Sequence, residues 1–248
     1  KTAPMGTAMT IWTELARADT TAGDEILLRR RGDLHEIRFN GIELMSNLTW
    51  RSEALLAERS LRLHGPRAAR VLIGGLGMGF TLRAALDLLD SAARVTVCEL
   101  IPEIAAWNRD GVLGELAAHP LADPRVDLRI RDVMEVLQAS PAGFDLILMD
   151  TDNGPDFTVR TENDRLYAQA GLDALRHALR PEGLAAIWSA TVSAPFERSL
   201  TDAGWHWWRE DVQLPDGRVD AFHHIYFALP IPLHPVTPHQ TRQPELAI

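Results

Sequence analysis

From residue 70 to 229 the chain alternates short β-branched or apolar runs with longer stretches in which apolar positions recur every three to four residues. The first pattern suits strands buried on both faces, and the second suits helices that cover them. Strands are predicted at 70–73, 94–99, 126–131, 144–149 and 184–189. A helix over 81–89 lines up Leu82, Ala85, Leu86 and Leu89. Another over 163–179 lines up Leu166, Ala170, Leu175 and Leu179, and Pro181 and Gly183 stop it. A short helix around 195–202 follows, then strands at 206–214 and 221–229 joined as a hairpin at Pro215-Asp216-Gly217. Ahead of this region, 25–31, 34–39 and 42–45 read as a β-meander with turns at Gly32-Asp33 and Asn40-Gly41, and a helix near 50–63 links it to the rest. Beyond residue 230, Pro232, Pro235, Pro238 and Pro244 break any regular element, so a mobile or surface-draped tail is expected.

This order predicts a doubly wound α/β domain. Five parallel strands closed by an antiparallel hairpin resemble the seven-stranded, Rossmann-like sheet of methyltransferase-type folds. Three regions follow: 1–64, the N-terminal β-meander and linking helix; 65–230, the Rossmann-like domain; and 231–248, the Pro-rich tail.

Composition narrows the function classes. The 248 residues are 46% hydrophobic and 24% charged, near the average for folded, water-soluble domains. The net charge of -9 repels a phosphate backbone, so nucleic acid is not an expected partner. Cys98 has no second cysteine to pair with and no thiolate cluster to join, which fits a reducing cytoplasm and no structural metal. No apolar run approaches the roughly 20 residues that span a bilayer, and no membrane association is expected. Lys1 is not a native start, so a removed leader stays open.

In open parallel sheets ligands bind beyond the carboxyl ends of the strands. The first strand leads into Gly74-Gly75-Leu76-Gly77-Met78-Gly79, where glycines at 75, 77 and 79 allow a tight turn and close approach of a ligand. The second ends at Glu99, about 20 residues on, where an acidic residue grips both hydroxyls of a ribose. The third leads to Asp132, able to accept from an adenine amino group, and the fourth to Asp150 at the centre of the crevice. Each feature has a plainer explanation: turn chemistry for the glycines, helix capping for Glu99 or Asp132, and a turn at 151–155 stabilised by Asp150. Four in register point to an adenosine-containing ligand. The Gly75-x-Gly77-x-Gly79 spacing with bulky Phe80 departs from the dinucleotide pattern, and no Lys-Ser/Thr pair follows to make a P-loop. The Trp205-His206-Trp207-Trp208 run reads as strand packing, Cys98 as a small buried hydrophobe. Of His223 and His224, on opposite faces of the last strand, at most one can reach a ligand.

Taken together, the residues resemble the spermidine synthase family of polyamine aminopropyltransferases, from about 34 to 189. The likeness is carried by the run from Val71 to Arg83, Val97-Cys98-Glu99-Leu100, Asp123-Pro124-Arg125-Val126 with Arg131-Asp132, the run from Phe144 to Asp150, and Leu166-Tyr167 through Leu179-Arg180-Pro181-Glu182-Gly183. The resemblance implies a donor site of Gly75, Gly77, Met78, Gly79, Glu99, Leu100, Asp132 and Val133, with Glu99 on the ribose and Asp132 on the adenine. It implies that Asp150, touching donor and acceptor alike, deprotonates and orients the attacking amine, and that Glu53, Asn153 and Tyr167 contact the acceptor. A homodimer is implied in the same way.

Four departures fall in one pocket. The family's GGGDGG loop has Met78 where its aspartate holds the donor amine. Its Asp-Ser-Ser-Asp-Pro segment becomes Asp150-Thr151-Asp152-Asn153-Gly154, with Asn153 at the second aspartate. Its Tyr-His/Gln-Glu triplet becomes Arg51-Ser52-Glu53, and its meander glutamine corresponds roughly to Leu44. Fewer carboxylates for a diamine, and one fewer charge to repel the carboxylate of intact S-adenosylmethionine, make a methyltransferase acting on a small amine, amino acid or metabolite the first expectation. The alternatives are aminopropyl transfer from decarboxylated S-adenosylmethionine, transfer or cyclisation of the 3-amino-3-carboxypropyl arm, and a silent binding protein that keeps an adenosine site.

Overall fold

The computed structural model describes residues 11–20, 23–65, 68–214 and 221–230. The chain divides into two compact units, 1–48 and 49–248. The division falls ahead of the helix expected to link meander and core, and that helix belongs to the larger unit.

In the smaller unit β1 (Thr13–Asp19), β2 (Glu25–Arg31), β3 (Leu34–Phe39) and β4 (Ile42–Ser46) form an antiparallel sheet in that order. Ile26, Leu28, Ile37 and Phe39 are buried, as strict alternation on β2 and β3 requires. β1 was not expected from the sequence. Its Thr-Glu-Leu-Ala-Arg-Ala-Asp run forms an edge that buries little, so no apolar period marks it; Arg17 instead pairs with Glu14 and, across the strands, with Glu25.

The larger unit opens with α1 (Arg51–His64), followed by β5 (Arg70–Gly74), α2 (Phe80–Leu88), β6 (Arg94–Glu99), α3 (Pro102–Asp110), α4 (Val112–Leu116), β7 (Val126–Ile130), α5 (Val133–Gln138) and β8 (Phe144–Met149). Then come α6 (Asp164–Tyr167), α7 (Gln169–Ala178), β9 (Leu179–Ser189), α8 (Ala194–Asp202), β10 (His206–Gln213) and β11 (Phe222–Leu229). The sheet order is β10-β11-β9-β8-β5-β6-β7, with β5 to β9 parallel and the β10–β11 hairpin antiparallel. This is the expected doubly wound architecture, and its order reverses between β5 and β8. The hairpin turn at 215–217 and the tail from 231 lie outside the described residues.

Alternate strand residues feed two cores, one per face. Val71, Ile73, Val97, Leu146, Leu148, Ile225 and Phe227 pack with Leu56 of α1 and Leu82 and Leu86 of α2. Leu72, Ile147, Met149, Ile187 and Tyr226 pack with Val136, Leu172 and Leu175 on the other side. Trp207 and Trp208 join opposite cores and Trp205 is buried, so the tryptophan run is packing.

Two boundaries differ from expectation. The single helix over 163–179 is broken at Ala168, whose extended backbone separates α6 from α7. Pro181 and Gly183 do not merely stop a helix: β9 already begins at Leu179, and 180–183 form an irregularity between the pairs Phe144–Leu179 and Leu146–Leu184.

Tyr226, fully buried, accepts a hydrogen bond from the backbone N–H of Ser193, which opens α8, at 2.9 Å. Tyr226→Phe leaves that N–H without its partner and should cost about 1–3 kcal/mol in denaturant unfolding, with an unchanged m-value.

Candidate functional site

The residues singled out from the sequence gather where β5, β6, β7 and β8 end, beside the reversal in strand order. The loop after β5 is held by its surroundings. Gly75 has φ +89°, and a Cβ there would lie 2.0 Å from the carbonyl oxygen of Asp150. A Cβ on Gly79 would meet Asn108 and Pro120 at 3.1 Å. These glycines are therefore spent on packing the loop against protein, not only on admitting a ligand. Met78 between them is completely buried. Asn108 braces the loop by donating from Nδ2 to the carbonyl of Gly77 at 2.8 Å.

Glu99 ends β6 with its side chain buried. Its carboxylate accepts from the backbone N–H of Leu76 at 3.0 Å and of Ile101 at 2.9 Å, so it ties the glycine loop to the start of α3. Burial raises its pKa, and these backbone bonds oppose the rise. Asp132 does cap a helix: its Oδ1 accepts from the N–H of Met134 at 2.8 Å, while its Oδ2 pairs with Arg165. Val133 is buried beside it and Leu100 is 40% exposed at the rim.

The turn after β8 settles the second reading of Asp150. The carboxylate that organises this turn is Asp152, which accepts from the N–H of Val159 at 2.7 Å, the N–H of Asn153 at 3.0 Å and Nδ2 of Asn163 at 2.9 Å. The carbonyl of Asn153 accepts from Ala190 N–H, anchoring the turn to the segment after β9. Asp150 is thus relieved of turn duty. Its backbone N–H donates to the carbonyl of Gly74 at 2.8 Å and its Oδ2 accepts from Thr81 at 2.6 Å. Tyr167 is buried, its hydroxyl 3.3 Å from that of Thr151.

Glu53, carried on α1, is buried close enough to Asp150 for the two charges to interact. Desolvation, then the negative charge of Asp150, push Glu53 up to about 8; desolvation pushes Asp150 up to about 6 against the bond from Thr81. Neither carboxylate has an ion pair with a cationic side chain among the described residues. Burial and mutual repulsion thus oppose full ionisation of the pair, and a cation bound between the two carboxylates would favour it.

Sequence reasoning missed three residues around this pair. Thr81 and Ser52 stood inside quoted motifs without a role, and His223 was one of two histidines of which one could face the site. It is His223 that does: Ser52 Oγ lies 2.8 Å from its Nδ1, 2.7 Å from Glu53 Oε2 and 3.1 Å from the Nε1 of Trp188. His224, on the other face, bonds Asp211. Among the described residues no group of three or more His, Cys, Asp or Glu is placed to hold a metal, and no helix is long and apolar enough to cross a membrane.

The raised Glu53 pKa carries a stability cost with a defined sign. An acid protonated more readily folded than unfolded destabilises the fold as pH rises from its unfolded value, here 4.5, through its folded value. Glu53→Gln should match the parent in melting temperature near pH 4.5 and exceed it increasingly up to about pH 8. Thermal unfolding scans measure this, each kcal/mol being worth about 2–4 °C at this chain length.

Comparison with known proteins agrees with this geometry. A polyamine aminopropyltransferase of Streptomyces coelicolor is 36% identical over 132 residues, which span 52% of this chain and 23% of the relative's length. A Thermotoga maritima spermidine synthase superposes with TM-score 0.68 at 18% identity, covering 87% of this chain and 71% of that one. A spermidine synthase in complex with the transition-state analogue AdoDATO gives 0.73 at 18% identity, with coverages of 87% and 73%. A probable spermidine synthase from Corynebacterium glutamicum gives 0.60 at 18%, with coverages of 86% and 79%. At that identity the structures speak for the fold. The spermine/spermidine synthase domain model matches residues 54–194, more than half of the chain, and the protein belongs to that family of enzymes.

Proposed function

We propose that the protein is an aminopropyltransferase that moves the aminopropyl arm of decarboxylated S-adenosylmethionine onto a small amine. The observation that carries this reading is the buried Asp150–Glu53 pair with no ion-paired cation among the described residues. Two carboxylates in one desolvated crevice attract an ammonium group and repel a ligand bearing its own carboxylate. The expectation of intact S-adenosylmethionine and methyl transfer rested on four departures, among them the charge lost at Met78 and the carboxylate lost at Asn153. With Glu53 folded in beside Asp150 that expectation loses its force, and the family match and the name of the Streptomyces relative support aminopropyl transfer.

The remaining residues fit the donor. Glu99, already fixed by backbone N–H groups, presents its free lone pairs to a ribose, and Asp132 stands where an adenine amino group would be read. Chemically, the donor's sulfonium is already activated, so alignment and removal of one proton are what the protein supplies. The acceptor arrives as an ammonium, and Asp150 takes its proton. The free amine nitrogen attacks the methylene carbon attached to sulfur, the C–N bond forms, and the C–S electron pair leaves with sulfur as a neutral thioether.

The test is product identity. Incubated with the decarboxylated donor and an alkyl diamine, the protein should release methylthioadenosine and the aminopropylated amine. Release of S-adenosylhomocysteine from S-adenosylmethionine instead would establish methyl transfer. Asp150→Asn should lower kcat by about 100-fold or more with the fold intact by circular dichroism.

A further inference from the structure

We infer that Ser52 and His223 form a proton relay that connects the Glu53–Asp150 pair to solvent at the partly exposed His223, with Ser52 as a two-way switch. The inference rests on the amine-binding reading of that pair.

Ser52 is completely buried on the first turn of α1, and its oxygen has one hydrogen and two lone pairs. The indole N–H of Trp188 can only donate, and at 3.1 Å it occupies one lone pair. One hydrogen and one lone pair remain for two close partners, Glu53 Oε2 at 2.7 Å and His223 Nδ1 at 2.8 Å. The carbonyl of Thr49, at 3.3 Å, is a weaker acceptor for the same hydrogen.

Only two arrangements then satisfy every group. With Glu53 ionised, Ser52 donates to Glu53 and His223 donates its Nδ1–H to Ser52. With Glu53 protonated, Glu53 donates to Ser52 and Ser52 donates to His223, whose hydrogen then sits on Nε2. Passing between the two moves one proton from Glu53 to Nδ1, and the imidazole loses its Nε2 proton to water.

The surroundings favour passage over storage. Trp188 meets the imidazole edge-on with ring centroids 4.7 Å apart, which fixes the ring. Burial, then the neighbouring His224, lower His223 to about 4, so a proton reaching it does not stay. Among the described residues, the titratable groups around the ring are Glu53 on α1 with Asp150 beyond it and His224 on its own strand; β9 offers Trp188, β10 places Val212 opposite, and Glu210, two residues along on the same side of β10, pairs with Arg59 of α1. His223 itself is partly exposed. In the reaction, the proton that the acceptor ammonium gives up goes to Asp150, passes within the carboxylate pair to Glu53, and leaves by this route, so the pair is reset without opening the crevice to water.

The test reads the tautomer directly. In the full chain labelled with 15N-histidine, His223 is assigned by loss of its signals in His223→Asn. Between pH 5 and 9 it should cross from the Nε2–H to the Nδ1–H tautomer as Glu53 ionises, and the crossing should vanish in Glu53→Gln. A single tautomer across that range, or a crossing that survives in Glu53→Gln, overturns the relay. A kinetic arm uses the decarboxylated donor with 1,4-diaminobutane. There His223→Asn, which keeps a donor to Ser52 but cannot pass a proton on, should lower kcat about tenfold or more at unchanged KM, and added imidazole should restore it. Full activity of His223→Asn would reduce His223 to a holder of Ser52 and overturn the proposal. If the parent turns over no amine at all, the functional reading falls, and the tautomer measurement still decides the relay.

Discussion

Two carboxyl groups brought into one crevice with no ion-paired cation among the described residues are costly to desolvate, and much of the local structure answers that cost. Asp150 is fixed by its position at the end of β8, where its N–H is claimed by Gly74 and its carbonyl lies against Gly75. Thr81 donates to its carboxylate, Ser52 donates to that of Glu53, and Trp188 in turn donates to Ser52. Among the described residues, a chain of neutral donors takes the place an arginine or lysine would fill. Such donors stabilise negative charge without cancelling it, which keeps the crevice attractive to an ammonium.

That arrangement also explains why α1 belongs to the larger unit. The helix buries Leu56 in the core above β8 and β9 and, one turn earlier, delivers Ser52 and Glu53 to the crevice. Packing and chemistry are served by the same amphipathic period: the face that satisfies the core fixes where the carboxylate points.

The fold was largely legible because its signals are local. Continuous apolar runs marked β5, β6 and β8 to within a residue, and the pattern at each strand end located Glu99, Asp132 and Asp150. What stayed hidden depends on partners distant in the chain. Nothing near Ser52 announces that residue 223 lies 2.8 Å away, and nothing in the sequence says whether Asp150 or Asp152 holds the turn. Met78 could be weighed in sequence only as a charge missing from one motif, whereas the folded chain shows Glu53 close enough to Asp150 for their charges to interact. β1 escaped because an exposed edge strand needs no apolar period.

The contact between Gly75 and Asp150 ties two sites of evolutionary change together. Because the loop that would cradle the donor lies directly on the backbone of the residue proposed to handle the acceptor, neither can be remodelled alone. A substitution that swells the loop pushes the carboxylate out of line, and a shift in the carboxylate reshapes the loop. Change in such a scaffold has to be concerted, and the two segments in contact both depart from the family pattern, the glycine loop at Met78 and the segment after β8 at Asn153.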